Sequence, residues 1–182
     1  MQYKRKIEGR TDYRKRLRLL LSKKPRLVIR RSLNKISAQV IEYTETGDKT
    51  LVSTTSKDLV KFGWKASIKN TPASYLTGLL VGKKALEKNI KEVTPDLGLT
   101  EPKKGANIFA LLKGVKDSGV KISLDEKVLP KESRIKGQHI TDYSKNNPNA
   151  FKTYKISPEE IPKQFEETKN KIMSQNGRRN KN

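Results

Sequence analysis

Residues 70–93, NTPASYLTGLLVGKKALEKNIKEV, decide the fold. Thr71 followed by Pro72 is a typical helix start, with Thr71 as the N-cap and proline at the first helical position. Large apolar residues then recur at helical spacing, which predicts one long helix up to about residue 90. These residues are Leu76, Leu79, Leu80, Leu86 and Ile90. A short strand over residues 92–97 is expected to follow.

Within this helix, residues 78–84, GLLVGKK, superficially resemble a phosphate-binding loop. Such a loop needs four residues between its glycines and a serine or threonine after its lysine. This segment has three intervening residues, and Lys84 stands at the magnesium-binding position. We therefore predict that Gly78 and Gly82 are small residues that let the helix approach the sheet closely.

Upstream of this helix, three β-like runs cover residues 26–31, 36–43 and 50–55, with a turn signal at Thr46-Gly47-Asp48. They predict an antiparallel three-stranded meander, followed by a brief helix over 56–62. Downstream, a basic loop at 101–105 precedes a second amphipathic helix, which ends at Gly119. The predicted fold class is α/β, with a three-stranded antiparallel meander followed by helix–strand–helix.

This α/β domain spans residues 26–124 and is flanked by two predicted extensions. Residues 1–25 form a basic N-terminal arm, with a short helix over 12–24 that Thr11 caps and Pro25 ends. Leu17, Leu20 and Leu21 would give that helix an apolar stripe. Residues 125–182 form a helical C-terminal extension with a basic tail. Its helices are predicted at 131–144 and from Ser157 to about Met173, and residues 175–182 are expected to be disordered.

The charge points to a polyanionic partner. The chain carries 41 Lys and Arg against 19 Asp and Glu, a formal net charge of +22. Residues 1–35 alone hold 14 basic and 2 acidic side chains. Such a surplus destabilises a compact state by self-repulsion unless a polyanion neutralises it. Nucleic acid is the first candidate and anionic lipid the second.

Several classes of site are excluded or disfavoured. The chain has no cysteine and one histidine, His139, so disulfides, thiol catalysis and a zinc site are not expected. No apolar run approaches the roughly 20 residues of a membrane span. We expect a cytoplasmic protein with no catalytic residue, metal, cofactor, small-molecule substrate or membrane partner.

Cations alternate with aromatic residues along the arm, from Tyr3 to Arg18. This pattern suits phosphate pairing and base stacking, although a solubilising tail is the alternative. The turn at residues 30–35 and the loop at 103–105 also concentrate cations, although either could be an ordinary solvated turn. Trp64 and Phe62 could stack on a base or be buried under the sheet.

Seven stretches of the chain resemble one known family: the L-eighteen family of large-subunit ribosomal proteins, in its archaeal form, related to the eukaryotic protein L-five. They follow family order over nearly the whole chain, and the segment at 70–93 is the most specific. The stretches are EGRTDYRKRL (8–17), PRLVIR with ISAQVIEY (25–43), KFGWK (61–65), residues 70–93, DLGL (96–99), KGANIFALLKGVKDSGV (104–120) and RIKGQHITDY (134–143).

This resemblance implies a protein that binds 5S rRNA and ties it to 23S-type rRNA in the central protuberance of the large ribosomal subunit. Neighbouring large-subunit ribosomal proteins are implied as further partners. The residues implied to contact RNA are Arg5, Arg10, Tyr13, Arg14, Arg16 and Arg18 in the arm; Arg30, Arg31, Ser32, Asn34 and Lys35 in the first turn; Lys65, Lys69 and Asn70 before the long helix; and Lys103 and Lys104.

Two other functions compete with this one. A general basic nucleic-acid-binding or architectural protein would bind tRNA, duplex DNA and 5S rRNA alike. An enzyme acting on RNA would require a carboxylate cluster with magnesium.

Overall fold

One sheet of five strands forms the centre of the computed structural model, which describes residues 3–151 and 156–174. In chain order the strands are β1 (Arg26–Arg31), β2 (Ile36–Thr44), β3 (Gly47–Thr55), β4 (Glu92–Asp96) and β5 (Lys121–Ile122). They lie in the order β3-β2-β1-β4-β5. The first three pair antiparallel, which confirms the predicted meander, whereas β4 runs parallel to β1 and β5 parallel to β4.

The hairpin between β2 and β3 is longer than predicted. Pairing continues to Thr44 opposite Gly47, so the turn consists of Glu45 and Thr46. Asp48, which the sequence places in the turn, therefore lies in the strand opposite Tyr43. The strand β5 was not predicted, because two residues carry no recognisable alternation.

The helices confirm the mixed α/β class. They are α1 (Lys4–Ile7), α2 (Tyr13–Leu20), α3 (Thr71–Glu87), α4 (Asn107–Asp117), α5 (Glu132–Lys136), α6 (Gln138–Asn146) and α7 (Ile161–Ser174), with 3-10 turns at Ser56–Phe62, Glu126–Val128, Pro148–Phe151 and Pro158–Glu160. The predicted helix over 131–144 is two helices, because Gly137 adopts a left-handed conformation with φ +91° between them. The predicted disordered tail, 175–182, lies outside the described residues.

Two helix starts are displaced by one residue from the predicted positions. Asp12, not Thr11, caps α2, and its Oδ1 accepts from the backbone N–H of Lys15 at 3.0 Å. Asn70, not Thr71, caps α3 by accepting from the N–H of Ala73 at 2.9 Å. The Thr71 hydroxyl instead donates to the side chain of Asn107 at 2.9 Å, which ties together the starts of α3 and α4.

The helix α3 lies in the middle of the molecule, with 13 of its 17 residues buried. Toward the sheet, Val81 and Ala85 join the apolar cluster that β1, β2 and α4 complete. On its other side, α3 contributes to a second cluster with Trp64 and with residues of α5 and α7. Ile135, Ile161, Phe165 and Ile172 from the C-terminal helices are members of that cluster. The division into segments 1–25, 26–124 and 125–182 stays a prediction.

Small residues bring α3 close to α4, and not to the sheet as the sequence suggested. A Cβ atom added at Gly78 would collide with the backbone carbonyl of Leu111, and one added at Gly82 with the side chain of Ser118. On α4, Gly114 meets the carbonyl of Tyr75 in the same way. The Tyr75 hydroxyl donates to Asp117 at 2.8 Å. Burial and this hydrogen bond raise the pKa of Tyr75 above its usual range.

We expect Gly78→Ala to lower the free energy of unfolding in spite of its better helix propensity. The gain in propensity is at most about 1 kcal/mol, whereas overpacking of a buried contact costs about 1–3 kcal/mol. Urea denaturation measures the difference. Glu87→Ala, at the exposed end of the same helix, is the control, with a change within about 0.5 kcal/mol. A Gly78→Ala protein more stable than the wild type would show that the two helices can separate.

Candidate nucleic-acid interface

A partly buried ion-pair network joins the N-terminal arm to the sheet. Arg26, at the start of β1, is 3% exposed. It donates to Asp96 at the end of β4 and to Asp48 on β3, each at 2.9 Å. The same Oδ2 of Asp48 accepts from Arg16 of α2 at 3.0 Å. Asp48 therefore connects the arm helix to the buried arginine of β1.

Two further contacts reinforce this docking of the arm. Lys15 Nζ donates to the carbonyl of Gly98, just beyond β4, at 2.8 Å. Arg30, near the end of β1, donates to the backbone carbonyl of Asp96 at 3.0 Å and to its carboxylate at 3.3 Å. Arg16 and Arg30, both predicted RNA contacts, thus use some of their N–H donors for hydrogen bonds within the protein. A guanidinium has five N–H donors, so each retains donors for a second partner.

The opposite face of α2 presents unpaired cations. Arg14 and Arg18 are four residues apart, so they lie on the same face of the helix, and Arg16 points the other way. Both are exposed, and the described part of the chain offers neither of them a hydrogen bond or ion pair. Arg5 and Arg10 make exposed contacts, to Thr11 at 3.0 Å and Glu8 at 3.2 Å. Exposed pairs of this kind are weak and can exchange partners readily.

Tyr13, the aromatic member of the predicted set, is half-buried at the start of α2. Its ring stacks on that of Tyr3, with centroids 4.7 Å apart and planes at 24°. Tyr3 belongs to the arm pattern of cations and aromatic residues that the sequence linked to base stacking, although the set implied by the family resemblance contains Tyr13 and not Tyr3.

The turn between β1 and β2 is closed by Ser32. Its backbone N–H and its hydroxyl both donate to the carbonyl of Lys35, at 2.9 and 3.0 Å, and the hydroxyl accepts from the Lys35 N–H at 3.1 Å. Arg31, Asn34 and Lys35 are left exposed, and no side-chain partner is found for them among the described residues. Leu33, at the tip, is 88% exposed. The turn is therefore a rigid support for outward-facing groups.

The loop before α3 presents lysines and buries its aromatic residue. Lys65 and Lys69 are exposed, whereas Asn70 uses its side-chain oxygen to cap α3. Trp64 is 1% exposed and donates from Nε1 to the carbonyl of Ser67 at 3.2 Å. Of the two alternatives for Trp64, the structure shows burial and not base stacking, but the ring is buried among residues of α3, α5 and α7 and not under the sheet. Phe62 is half-buried against the same cluster.

Three adjoining hollows bring most of the predicted residues to one edge of the molecule. The first, about 580 Å³, lies between the arm and the sheet and includes Thr100. Thr100 also lines the second, about 810 Å³, beside Leu33 and Lys69. Lys69 in turn lines the third, about 670 Å³. We call this surface the basic edge; besides the buried Arg26, its cations are Arg5, Arg10, Lys15, Arg16, Arg30, Arg31, Lys65 and Lys69.

Lys103 and Lys104 extend the surface toward the C-terminal helices. They follow Thr100 in the same loop, and both are exposed. Lys104 lines a separate hollow of about 440 Å³ that also includes Arg134 and His139. Burial, and to a lesser extent the charge of Arg134, lowers the pKa of His139, which favours the neutral imidazole. The hollow therefore owes its positive charge to lysine and arginine.

Two negative findings apply to residues 3–151 and 156–174. No group of three or more His, Cys, Asp or Glu side chains there could hold a metal ion. None of the helices in those ranges has the length and apolar character needed to cross a membrane.

Two comparisons with known proteins agree with each other. A family model described as ribosomal large subunit proteins 60S L5 and 50S L18 matches residues 1–94. The large ribosomal subunit protein uL18 of Methanococcus maripaludis is 45% identical over 182 residues, which covers 94% of this chain and 94% of that protein.

The fold, the cationic surface and these matches define a structural protein of the large ribosomal subunit, with a role in translation and a place in the cytoplasmic ribosome. The chain belongs to the uL18 family. The resemblance found in the sequence is thereby confirmed, and the family is one of structural proteins and not of enzymes.

We expect Asp48→Asn to loosen the arm. The neutral amide no longer balances Arg16 and Arg26, and loss of hydrogen bonds to charged groups costs roughly 1–3 kcal/mol. Backbone amides of α2 should then exchange with deuterium faster, as hydrogen-exchange mass spectrometry would show. The control is Glu92→Gln, which breaks the half-exposed pair with Lys24 and should change stability by less than about 1 kcal/mol. Unchanged exchange in α2 would mean that Asp48 does not hold the arm.

Proposed function

We propose that this protein binds 5S rRNA and attaches it to 23S-type rRNA in the central protuberance of the large ribosomal subunit. The observation that carries the proposal is the basic edge, where the arm, the first turn and the loop before α3 adjoin one another. The family of the chain supports the choice of ribosomal RNA as the polyanion.

Binding needs no covalent chemistry. Lys and Arg side chains neutralise phosphates and release counterions, which supplies most of the affinity. The outward cations suited to this role are Arg14, Arg18, Arg31, Lys35, Lys65, Lys69, Lys103 and Lys104. Arg5, Arg10, Arg16 and Arg30 would contribute their remaining donors.

Selectivity for one RNA would come from the rigid placement of these cations. The arm is docked through Asp48, and the first turn is closed by Ser32, so the spacing between their cations is fixed before RNA arrives. Structured RNA is recognised mainly by shape, 2′-hydroxyls and unpaired bases. In this arrangement Ser32 and Asn70 serve as supports, while Asn34, exposed beside Lys35, is free to meet the RNA. Neighbouring ribosomal proteins are the further partners that we propose.

The full-length protein should prefer 5S rRNA over tRNA and duplex DNA at roughly 0.15–0.3 M salt, where non-specific contacts weaken steeply. Filter binding with the three nucleic acids at several salt concentrations measures this preference. Equal affinities at every salt concentration would favour a general nucleic-acid-binding protein. Shortening of the labelled 5S rRNA during the assay would instead revive the enzyme hypothesis.

The double substitution Arg31→Ala with Lys69→Ala, which removes two exposed cations of the basic edge, should reduce both the affinity for 5S rRNA and its salt dependence. Each lost phosphate contact lowers the slope of log affinity against log salt by about one. We therefore expect a slope that is shallower by about two. The matched control is Lys91→Ala with Lys121→Ala. These exposed lysines lie at the starts of β4 and β5, whereas the basic edge adjoins the end of β4. An equal effect of the two double variants would mean that binding follows net charge alone.

A further inference from the structure

We propose that Tyr3 is a stacking platform for one unpaired base of the bound RNA. This inference rests on the proposed function and adds to it a contact that is not electrostatic. It also assigns the aromatic contact to Tyr3, whereas the family resemblance implied Tyr13.

The geometry separates the roles of the two rings. Tyr13 is half-buried and presents one face to Tyr3, with the ring centroids 4.7 Å apart and the planes at 24°. Tyr3 is 67% exposed, so it has Tyr13 behind it and solvent in front. A base added on the outer face of Tyr3 would extend an existing two-ring stack. Tyr13 is then the support and Tyr3 the contact.

The arm holds Tyr3 in place before RNA binds. Tyr3 is the N-cap residue of α1, and its carbonyl accepts from the N–H groups of Lys6 and Ile7 at 2.9 and 3.2 Å. The return of the chain to α2 is fixed by Arg5, whose Nε donates to Thr11 Oγ1 and whose carbonyl accepts from the Arg10 N–H at 2.9 Å. Since α2 is docked on the sheet through Arg16, the platform is tied to the body of the protein.

The surroundings favour a nucleic-acid base over an apolar protein segment. Lys4, Arg5 and Lys6 follow Tyr3 directly and are exposed, which suits the phosphates on either side of a base. Aromatic rings flanked by cations are the usual means of binding unstacked bases, and every base offers a face for stacking. A base within a duplex has both of its faces covered, so the contact requires an unpaired nucleotide.

We expect Tyr3→Leu in the full-length protein to weaken binding to 5S rRNA about tenfold, because one base loses the aromatic ring on which it stacks. The slope of log affinity against log salt should not change, because no charge is removed. Tyr3→Phe, which keeps the ring, should bind within about twofold of the wild type. Tyr143→Leu is the matched control, because Tyr143 is a 55% exposed tyrosine in α6, one of the C-terminal helices.

A direct reading comes from ultraviolet cross-linking of the wild-type complex, followed by mass spectrometry of the peptides. We expect a nucleotide adduct on Tyr3 and none on Tyr143. Hydrogen exchange in α2 should be the same in Tyr3→Leu as in the wild type. Faster exchange there would mean that the Tyr3 ring serves to stabilise the arm and not to contact RNA, which would overturn the proposal.

The proposal would also be overturned if Tyr3→Leu bound 5S rRNA as tightly as the wild type while the preference over tRNA persisted. That result would leave the proposed function intact. Lack of any preference for 5S rRNA in the wild type would instead refute the proposed function itself.

Discussion

The guanidinium of Arg26 is buried between two carboxylates, Asp48 and Asp96, and the arrangement of the RNA-facing surface depends on it. A buried charge is costly unless it is paired and hydrogen-bonded, so these three residues hold one another in place. Asp96 also accepts from Arg30, and Asp48 from Arg16. Three arginines thus share two carboxylates, which fixes the positions of the arm and of the end of β1 while a net positive charge remains at the junction.

The close packing of α3 against α4 stabilises the body of the protein on which the ion pairs of Arg26 are built. Gly78 and Gly114 allow the two helices to approach until backbone meets backbone, and Gly82 leaves room for the side chain of Ser118. The Tyr75 hydroxyl closes the contact by donating to Asp117. Because α3 is also covered on its other side by α5 and α7, it has little freedom to shift. Asn70, at its start, then sets where the loop with Lys65 and Lys69 leaves the core.

The sequence was sufficient to predict the meander and the two main helices, because their apolar residues recur with a clear period. It could not reveal β5, whose two residues have no pattern, or the break at Gly137, where one glycine interrupts a helical segment. It located the cations of the candidate site, but it could not show which of them bond to protein oxygens and which remain exposed. That division depends on Asp96, which is 70 residues from its partner Arg26, and on which side of α2 meets the sheet.

This division of cations has a consequence for binding. Arg16 and Lys15 face the sheet and are held by protein oxygens, so the arm is ordered by the folding of the protein itself. Arg14 and Arg18, on the other side of the same helix, are thereby presented at a fixed spacing. An arm that was free in solution would lose conformational entropy on binding, at about 1–2 kcal/mol per ordered residue. A docked arm avoids most of that cost, so a larger share of the attraction between cation and phosphate remains as affinity for an RNA of matching shape.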